Sequence, residues 1–223
     1  MVRKMLQAVR SGAAKDRSRI FKDYIAQLPR PLSIVDLGGA AGMWKRWGVT
    51  EADHLHLTLI NNHHIDKSHQ KEELYGSFIK AEQEDVLRLG PEFLEPFDLV
   101  FSNSMMEHLE SREAQARLAS TIIRSGRPYF IQIPNKKSLI DPHFPHPFAP
   151  FFACLPRTIR AALLTLHPLG SGNRSKNYRE SLRRMGFYNP IGQKELKALF
   201  PEAEIESERL FGLPMSIIAL RKK

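Results

Sequence analysis

Cysteine is nearly absent from the sequence, and other marks of secreted or membrane proteins are missing with it. The single Cys154 excludes an internal disulfide and fits a reducing compartment. The N-terminus lacks the apolar core of a signal peptide, and no uninterrupted apolar run approaches the roughly 20 residues of a membrane span. We therefore expect a cytoplasmic protein with no secretion signal and no transmembrane segment.

Negative charge is also in deficit. The 223 residues hold 33 Lys and Arg against 24 Asp and Glu, which gives a formal net charge of +9. This balance favours anionic partners, such as nucleic acid, acidic lipid or an acidic substrate, and does not choose among them. Hydrophobic and charged contents of 42% and 26% are ordinary for a globular domain.

Apolar runs alternate with helical patterns along the chain, as in a doubly wound α/β sheet. The first run is continuously apolar, as buried parallel strands are. We predict a mostly parallel seven-stranded sheet with an antiparallel strand pair at its C-terminal edge. The predicted strands are Leu32–Leu37, His54–Ile60, Phe78–Ala81, Phe97–Phe101, Tyr129–Ile133, Glu204–Leu210 and Met215–Arg221. The predicted helices are Asp16–Leu28, Met43–Trp47, Ser111–Arg124, Pro156–Leu166, Tyr178–Met185 and Lys194–Phe200.

Two segments depart from this alternation within what we predict to be a single domain over residues 1–223. Residues 1–30 are strongly basic and place apolar side chains on one helical face, so we expect a helical lid there. Residues 135–190 combine a proline-rich loop with short helices rich in Phe and Leu. We expect this insertion to form a hood over a substrate, although the same apolar side chains could simply be its own core.

The glycine-rich turn after the first strand, IVDLGGAAG, carries the clearest functional signal. The dinucleotide fingerprint G-x-G-x-x-G, counted back from Gly42, needs a glycine where Leu37 stands, so that pattern fails. An acid, Asp36, precedes the glycines and would repel a pyrophosphate. It suits a ligand with an amine or a positive charge, and S-adenosylmethionine has an amine and a sulfonium.

Four stretches together resemble class I S-adenosylmethionine-dependent methyltransferases, over the span from Ile34 to Leu220. VDLGGAAG resembles the glycine-rich first motif of that family, and FDLVFSNSMMEHL resembles its fourth-strand motif. YFIQIPNKKSLIDPHF and LFPEAEIESERLFGLPMSIIAL resemble the fifth-strand loop and the last helix and strand pair of a bacterial, small-molecule-methylating subgroup. The resemblance implies a Rossmann-like methyltransferase fold, with S-adenosyl-L-methionine as cofactor and S-adenosyl-L-homocysteine as product.

The resemblance also implies a site for the methionine end of that cofactor. By position, this end would be held by Asp36 and by the backbone of Gly38, Gly39 and Gly42. Ala40 replaces a glycine often seen in the middle of this loop, which slightly limits the approach of the backbone to a ligand.

The remaining implied contacts follow later strands. Asn61 stands where an acid usually binds both ribose hydroxyls, so a charge-assisted hydrogen bond is lost. Asp85 would contact the adenine amine, with Val86 packed on the ring. Asn103 and Ser104 would line the floor beside the transferred methyl group. The residue pattern alone leaves open that Asp85 is only a helix cap.

Histidines are the candidates for removing a proton from the acceptor, because histidine titrates near neutrality. We expect His143 first, since it lies in the loop after the fifth strand, with His108 and His146 as the other candidates. His108 could equally be a structural contact. The pattern His63-His64-x-Asp66-x-x-His69 matches no standard zinc motif, and we expect no metal.

The acceptor is expected to be a small molecule, apolar or aromatic and carrying an anionic group, methylated on oxygen or nitrogen. The basic charge keeps an RNA- or protein-directed methyltransferase as the alternative, although no RNA-binding module is recognised. The Asn61 departure keeps a catalytically degenerate, cofactor-binding partner protein as another. The sequence does not indicate an oligomeric state.

Overall fold

Seven strands form one mixed sheet in the computed structural model of the chain, which describes residues 16–62, 78–139, 141, 143–144, 151–166, 175–210 and 212–222. The strand order is β3-β2-β1-β4-β5-β7-β6. The strands are β1 Leu32–Leu37, β2 Leu55–Asn61, β3 Ile79–Gln83, β4 Leu99–Asn103, β5 Tyr129–Pro134, β6 Glu204–Leu210 and β7 Leu213–Arg221. The predicted seven-stranded, mostly parallel sheet is confirmed.

The first five strands pair in parallel, and β7 alone runs in the opposite direction. β7 lies antiparallel between β5 and β6, so β6 forms the edge of the sheet. β1 lies between β2 and β4, and the chain order reverses there. Ligands of open α/β sheets bind beyond the carboxyl ends of the strands at such a switch point. The glycine-rich turn therefore begins where a ligand is expected.

Helices cover both faces of the sheet. They are α1 (residues 16–25), α2 Ala41–Arg46, α3 Pro91–Leu94, α4 Arg112–Arg124, α5 Arg157–Leu166, α6 Tyr178–Gly186 and α7 Gln193–Leu199. Three single 3₁₀ turns add Glu51–Asp53, Met106–His108 and Phe152–Cys154. The short helix α3, which begins at Pro91, was not predicted, because its four residues are too few to show a helical period.

Two apolar layers hold the helices to the sheet. On one face α4 and α7 pack against β1, β4 and β5. On the other face α1 and α2 meet the sheet through an aromatic cluster centred on Phe21. The Phe21 ring lies 5.4 Å from Trp44, 5.0 Å from Phe101 and 5.3 Å from Phe130, all edge-on. Edge-on pairs at this distance are favourable, so α1 is part of the core.

Much of the apolar surface of the insertion packs within the insertion itself. Helices α5 and α6 enclose a separate cluster that contains the buried residues Phe152, Ala161, Leu164 and Met185. Phe151 and Ile159 remain 47% exposed. Residues 145–150 and 167–174 of the insertion lie outside the described residues. Within the part of the chain that the structure describes, no helix is long and apolar enough to cross a membrane.

Candidate functional site

The glycine-rich turn is shaped by its own neighbours at two of its three predicted positions. Gly38 has a φ of +77°, and a Cβ there would collide with Met105. A Cβ on Gly39 would collide with the Asp36 carboxyl group. At Gly42 a Cβ would meet only the mobile end of Arg46, at 3.4 Å. The open space that a ligand could use thus lies over Gly42, at the start of α2.

Asp36 is the most unusual member of this turn. It is 1% exposed, and β1 places it between Leu59 and Phe101 of the flanking strands. Trp44 Nε1 donates to its Oδ2 at 2.7 Å, whereas its Oδ1 has no hydrogen-bond partner among the described residues. Burial raises the pKa of Asp36 from 3.8 to about 7, and the bond from Trp44 offsets only part of that rise.

The residues expected at the ribose and adenine lie beyond β2 and β3. Asn61 Nδ2 donates to the Gly39 carbonyl at 3.3 Å, which ties the end of β2 to the glycine turn. Asp85 Oδ1 accepts a hydrogen bond from Leu87 N at 3.0 Å, so it caps a turn and not the helix that the sequence left open. Val86 is 9% exposed and packs into the core layer under α4.

The carboxyl end of β4 is held by groups distant in sequence. Arg17 Nη1 donates to Asn103 Oδ1 at 2.7 Å, and Arg17 Nε donates to the fully buried Glu208 at 2.9 Å. Ser104 adopts a φ of +56°, and its hydroxyl hydrogen-bonds the Gln132 side chain at 3.1 Å. A network from α1, β5 and β6 thus fixes the predicted floor residues.

Beside that floor, one buried acid and two histidines meet. Glu107 is 0% exposed, and its carboxylate accepts no hydrogen bond from another described residue. The His143 Nε2 atom lies 3.5 Å from Glu107 Oε1, and the His108 Nε2 atom lies 3.9 Å from it. Burial raises the pKa of Glu107 from 4.5 to about 8, while its own backbone amide and the charge of Arg17 oppose that rise.

The two histidines contact each other, and His143 also contacts a second buried acid. Their Nε2 atoms are 3.2 Å apart. His108 Nδ1 bonds the Phe187 carbonyl at 3.1 Å, so this nitrogen is the donor and carries a proton. The backbone N–H of His143 donates to Asp141 Oδ1 at 2.8 Å, and Tyr188 donates its hydroxyl to Asp141 Oδ2 at 2.5 Å. Burial raises the pKa of Asp141.

The structure therefore gathers most predicted site residues beyond the carboxyl ends of the parallel strands. Asp36, the glycines and Asn61 form one group, and His108 and His143 form another, linked through the contact of Met105 with Gly38. His146 and the His63–His69 pattern lie outside the described residues. Sequence reasoning missed Arg17, Glu208, Asp141 and Tyr188, since no local pattern marks residues that meet only through packing.

Comparisons with known proteins identify the fold. No protein-family model matches the chain, and no curated protein sequence matches it. The fold is shared with a candidate Zn-dependent alcohol dehydrogenase from Rhodobacter sphaeroides, at 14% identity, covering 91% of this chain and 87% of that one, with a TM-score of 0.58. It is also shared with the N-methyltransferase NodS from Bradyrhizobium japonicum WM9, at 13% identity and a TM-score of 0.54. That match covers 93% of this chain and 94% of NodS.

A third similar structure contains a ligand. Magnesium protoporphyrin IX methyltransferase from Synechocystis PCC 6803, with bound S-adenosylhomocysteine, matches at 12% identity, with 96% and 86% coverage and a TM-score of 0.52. In three other matching structures, whose chains are longer, the match spans only 53% to 66% of the length of that chain. Identities this low define the fold alone, and that fold is the Rossmann-like methyltransferase fold implied by the sequence resemblance.

Proposed function

We propose that the chain is an S-adenosylmethionine-dependent methyltransferase that acts on a small-molecule acceptor. The observation that carries the proposal is the buried Asp36 carboxylate, whose Oδ1 has no partner among the described residues, near the end of β1 where the glycine-rich turn begins. An unpaired buried carboxylate oxygen is costly. An ammonium group supplied by a ligand would offset that cost.

The surrounding residues fit the other parts of the cofactor. Asn61 uses its Nδ2 on Gly39 and leaves Oδ1 to accept a bond from a ribose hydroxyl. Asp85 bonds Leu87 N through Oδ1 and faces the exposed Arg88 through Oδ2 at 3.7 Å, so an adenine amine would share Oδ2 with that guanidinium group. Similar folds bind S-adenosylhomocysteine, as in the Synechocystis enzyme. These residues would hold the cofactor along the ends of β1, β2 and β3.

The chemistry divides between cofactor and protein. The cofactor supplies a methyl group on a sulfonium centre, so the acceptor's lone pair forms the new bond to carbon while the carbon–sulfur electron pair stays on sulfur. The protein aligns the acceptor and excludes water. A hydroxyl acceptor also loses a proton, which goes to the cluster of Glu107, His108 and His143, with His143 as our first candidate.

The acceptor is proposed from the surroundings of that cluster. Phe144 and Tyr188 lie beside His143, with ring centroids of Phe144 and Tyr188 5.2 Å apart. Arg17 lies at the end of β4, where its guanidinium group is already paired with Glu208 and hydrogen-bonded to Asn103. We infer an apolar or aromatic acceptor with an anionic group, methylated on oxygen or nitrogen. The expected cytoplasmic location stays a prediction.

Substitution of Gly42 tests the cofactor half of the proposal. Gly42→Ala meets only the flexible Arg46 end and raises helix propensity, so its stability should equal or exceed that of the wild type. Its added methyl group should nevertheless weaken S-adenosylmethionine binding by roughly tenfold or more, measured by calorimetry.

Gly192→Ala is the matched control. Gly192 directly precedes α7, and a Cβ there would lie 3.4 Å from the flexible end of Glu195, the same distance as between a Cβ at Gly42 and Arg46. It should leave the affinity unchanged. Absence of binding by the wild type, or equal affinity in the Gly42 variant, would refute the proposed site.

A further inference from the structure

Three donor atoms converge beside the end of β4. They are Glu107 Oε1, His108 Nε2 and His143 Nε2, which all lie within 4.8 Å of one another. The histidine nitrogens are 3.2 Å apart, and they lie 3.5 and 3.9 Å from the carboxylate oxygen. Two residues come from the turn after β4, and the third comes from the loop after β5.

These spacings suit joint coordination of one ion. Zinc–nitrogen bonds of about 2.0–2.1 Å at tetrahedral angles place two ligand nitrogens about 3.3 Å apart. The histidine pair already stands at this separation, and the carboxylate needs only a small side-chain movement to match it. Two imidazoles and one carboxylate also form a donor set that first-row transition metals prefer, whereas Mg²⁺ and Ca²⁺ prefer oxygen alone.

Burial of Glu107 is an independent sign of a missing cation. The side chain is 0% exposed, and neither oxygen accepts a hydrogen bond from another described residue. Buried carboxylates are normally paired or coordinate metals. The charge of Arg17 acts on Glu107, but the hydrogen bonds of Arg17 go to Glu208 and Asn103.

A backbone carbonyl orients the His108 ring, and the main chain of His143 is tied to Asp141. The Phe187 carbonyl accepts a bond from His108 Nδ1, which leaves the Nε2 lone pair of the neutral ring to bind. His143 Nδ1 faces the buried Asp141 carboxylate at 3.9 Å. A carbonyl or carboxylate behind the ligating histidine is the usual arrangement in metal sites.

We propose that Glu107, His108 and His143 bind a divalent first-row transition-metal ion of the zinc type. The His108 side chain is 45% exposed, which gives the ion a path from solvent. Three protein ligands leave at least one coordination position open, as catalytic rather than structural sites do. The ion site stands on its own. In the ion-bound chain, the ion would replace His143 as the group that helps an acceptor hydroxyl lose its proton, by binding and acidifying the acceptor oxygen, and that use rests on the proposed methyl transfer.

Equilibrium dialysis of the full chain against Zn²⁺, followed by metal analysis, tests the site. Wild type should retain Zn²⁺ in preference to Mg²⁺, and Co²⁺ should give the strong visible absorption of low-coordinate cobalt. His108→Ala/His143→Ala should lose both signals. Glu107→Gln, which keeps the shape of the side chain, should bind roughly tenfold or more weakly.

The sequence offers a matched control in its other histidines. His63→Ala/His64→Ala/His69→Ala removes more imidazoles than the site variant does, and it should retain both signals. Equal zinc retention in the wild type and the site variant, or loss only in the control, would overturn the proposal. Calorimetry of metal-free protein with S-adenosylmethionine separates this failure from failure of the proposed function, because cofactor binding does not involve these ligands.

Discussion

Asp36 shows at the scale of one residue how the fold changes the acidity of a buried carboxyl group. Burial raises its pKa from 3.8 to about 7, so between these pH values the folded chain binds a proton that the unfolded chain has released. The stability linked to Asp36 is therefore fully present below about pH 3.8 and is lost as the pH rises to about 7.

Asp36→Asn should remove this dependence. The amide keeps the shape of the side chain and an oxygen for Trp44 Nε1, and it never ionises. At pH 8 the variant should resist urea better than the wild type, by at most about 4 kcal/mol, and at pH 3.5 the advantage should vanish. Urea unfolding followed by circular dichroism at both pH values measures this. An advantage that is independent of pH would contradict the buried, titrating carboxyl group.

At the scale of elements, α1 is fixed to the sheet by a polar contact as well as by its aromatic face. Arg17 is 15% exposed and pairs with Glu208, which is 0% exposed on β6. The same guanidinium group bonds Asn103 at the end of β4. Helix α1 therefore links the predicted floor of the site to the edge strand of the sheet.

Arg17→Ala should destabilise the protein by about 3 kcal/mol, because it leaves a buried carboxylate without its partner. Arg19→Ala is the control on the same helix, since Arg19 is 63% exposed and pairs with Asp16 and Asp23. Loss of that surface pair should cost less than about 1 kcal/mol. Thermal and urea unfolding of both variants measure the difference. Similar effects of the two substitutions would show that the Arg17 pair contributes no more than a surface pair.

The sequence predicted the elements better than the contacts between them. β1 and β5 were clear because both strands are mostly apolar, as buried strands are, and their observed ends lie within one residue of the predicted ones. The approach of His108 to His143 depends on how the loop after β5 folds back over β4, which no local pattern encodes. The Arg17 contact with Glu208 joins residues 191 positions apart, beyond the reach of any spacing argument.

At the scale of the whole molecule, the strand order creates the site. β1 and β4 lie side by side although two strands separate them in sequence, so the glycine turn and the Met106–His108 turn meet at one edge. The net charge of +9 adds a general attraction for anions. It predicts weak, salt-sensitive binding of any polyanion, and so it favours no particular acceptor.

The choice between S-adenosylhomocysteine and NAD⁺ tests the central claim most directly, because similar α/β sheets bind either kind of ligand. Calorimetric titration of the wild-type chain with each ligand, under one set of conditions, measures this choice. The account predicts saturable binding of S-adenosylhomocysteine and none of NAD⁺, since Asp36 and Leu37 stand where a dinucleotide site needs a neutral glycine-rich turn. Binding of NAD⁺ without S-adenosylhomocysteine, or of neither ligand, would contradict it.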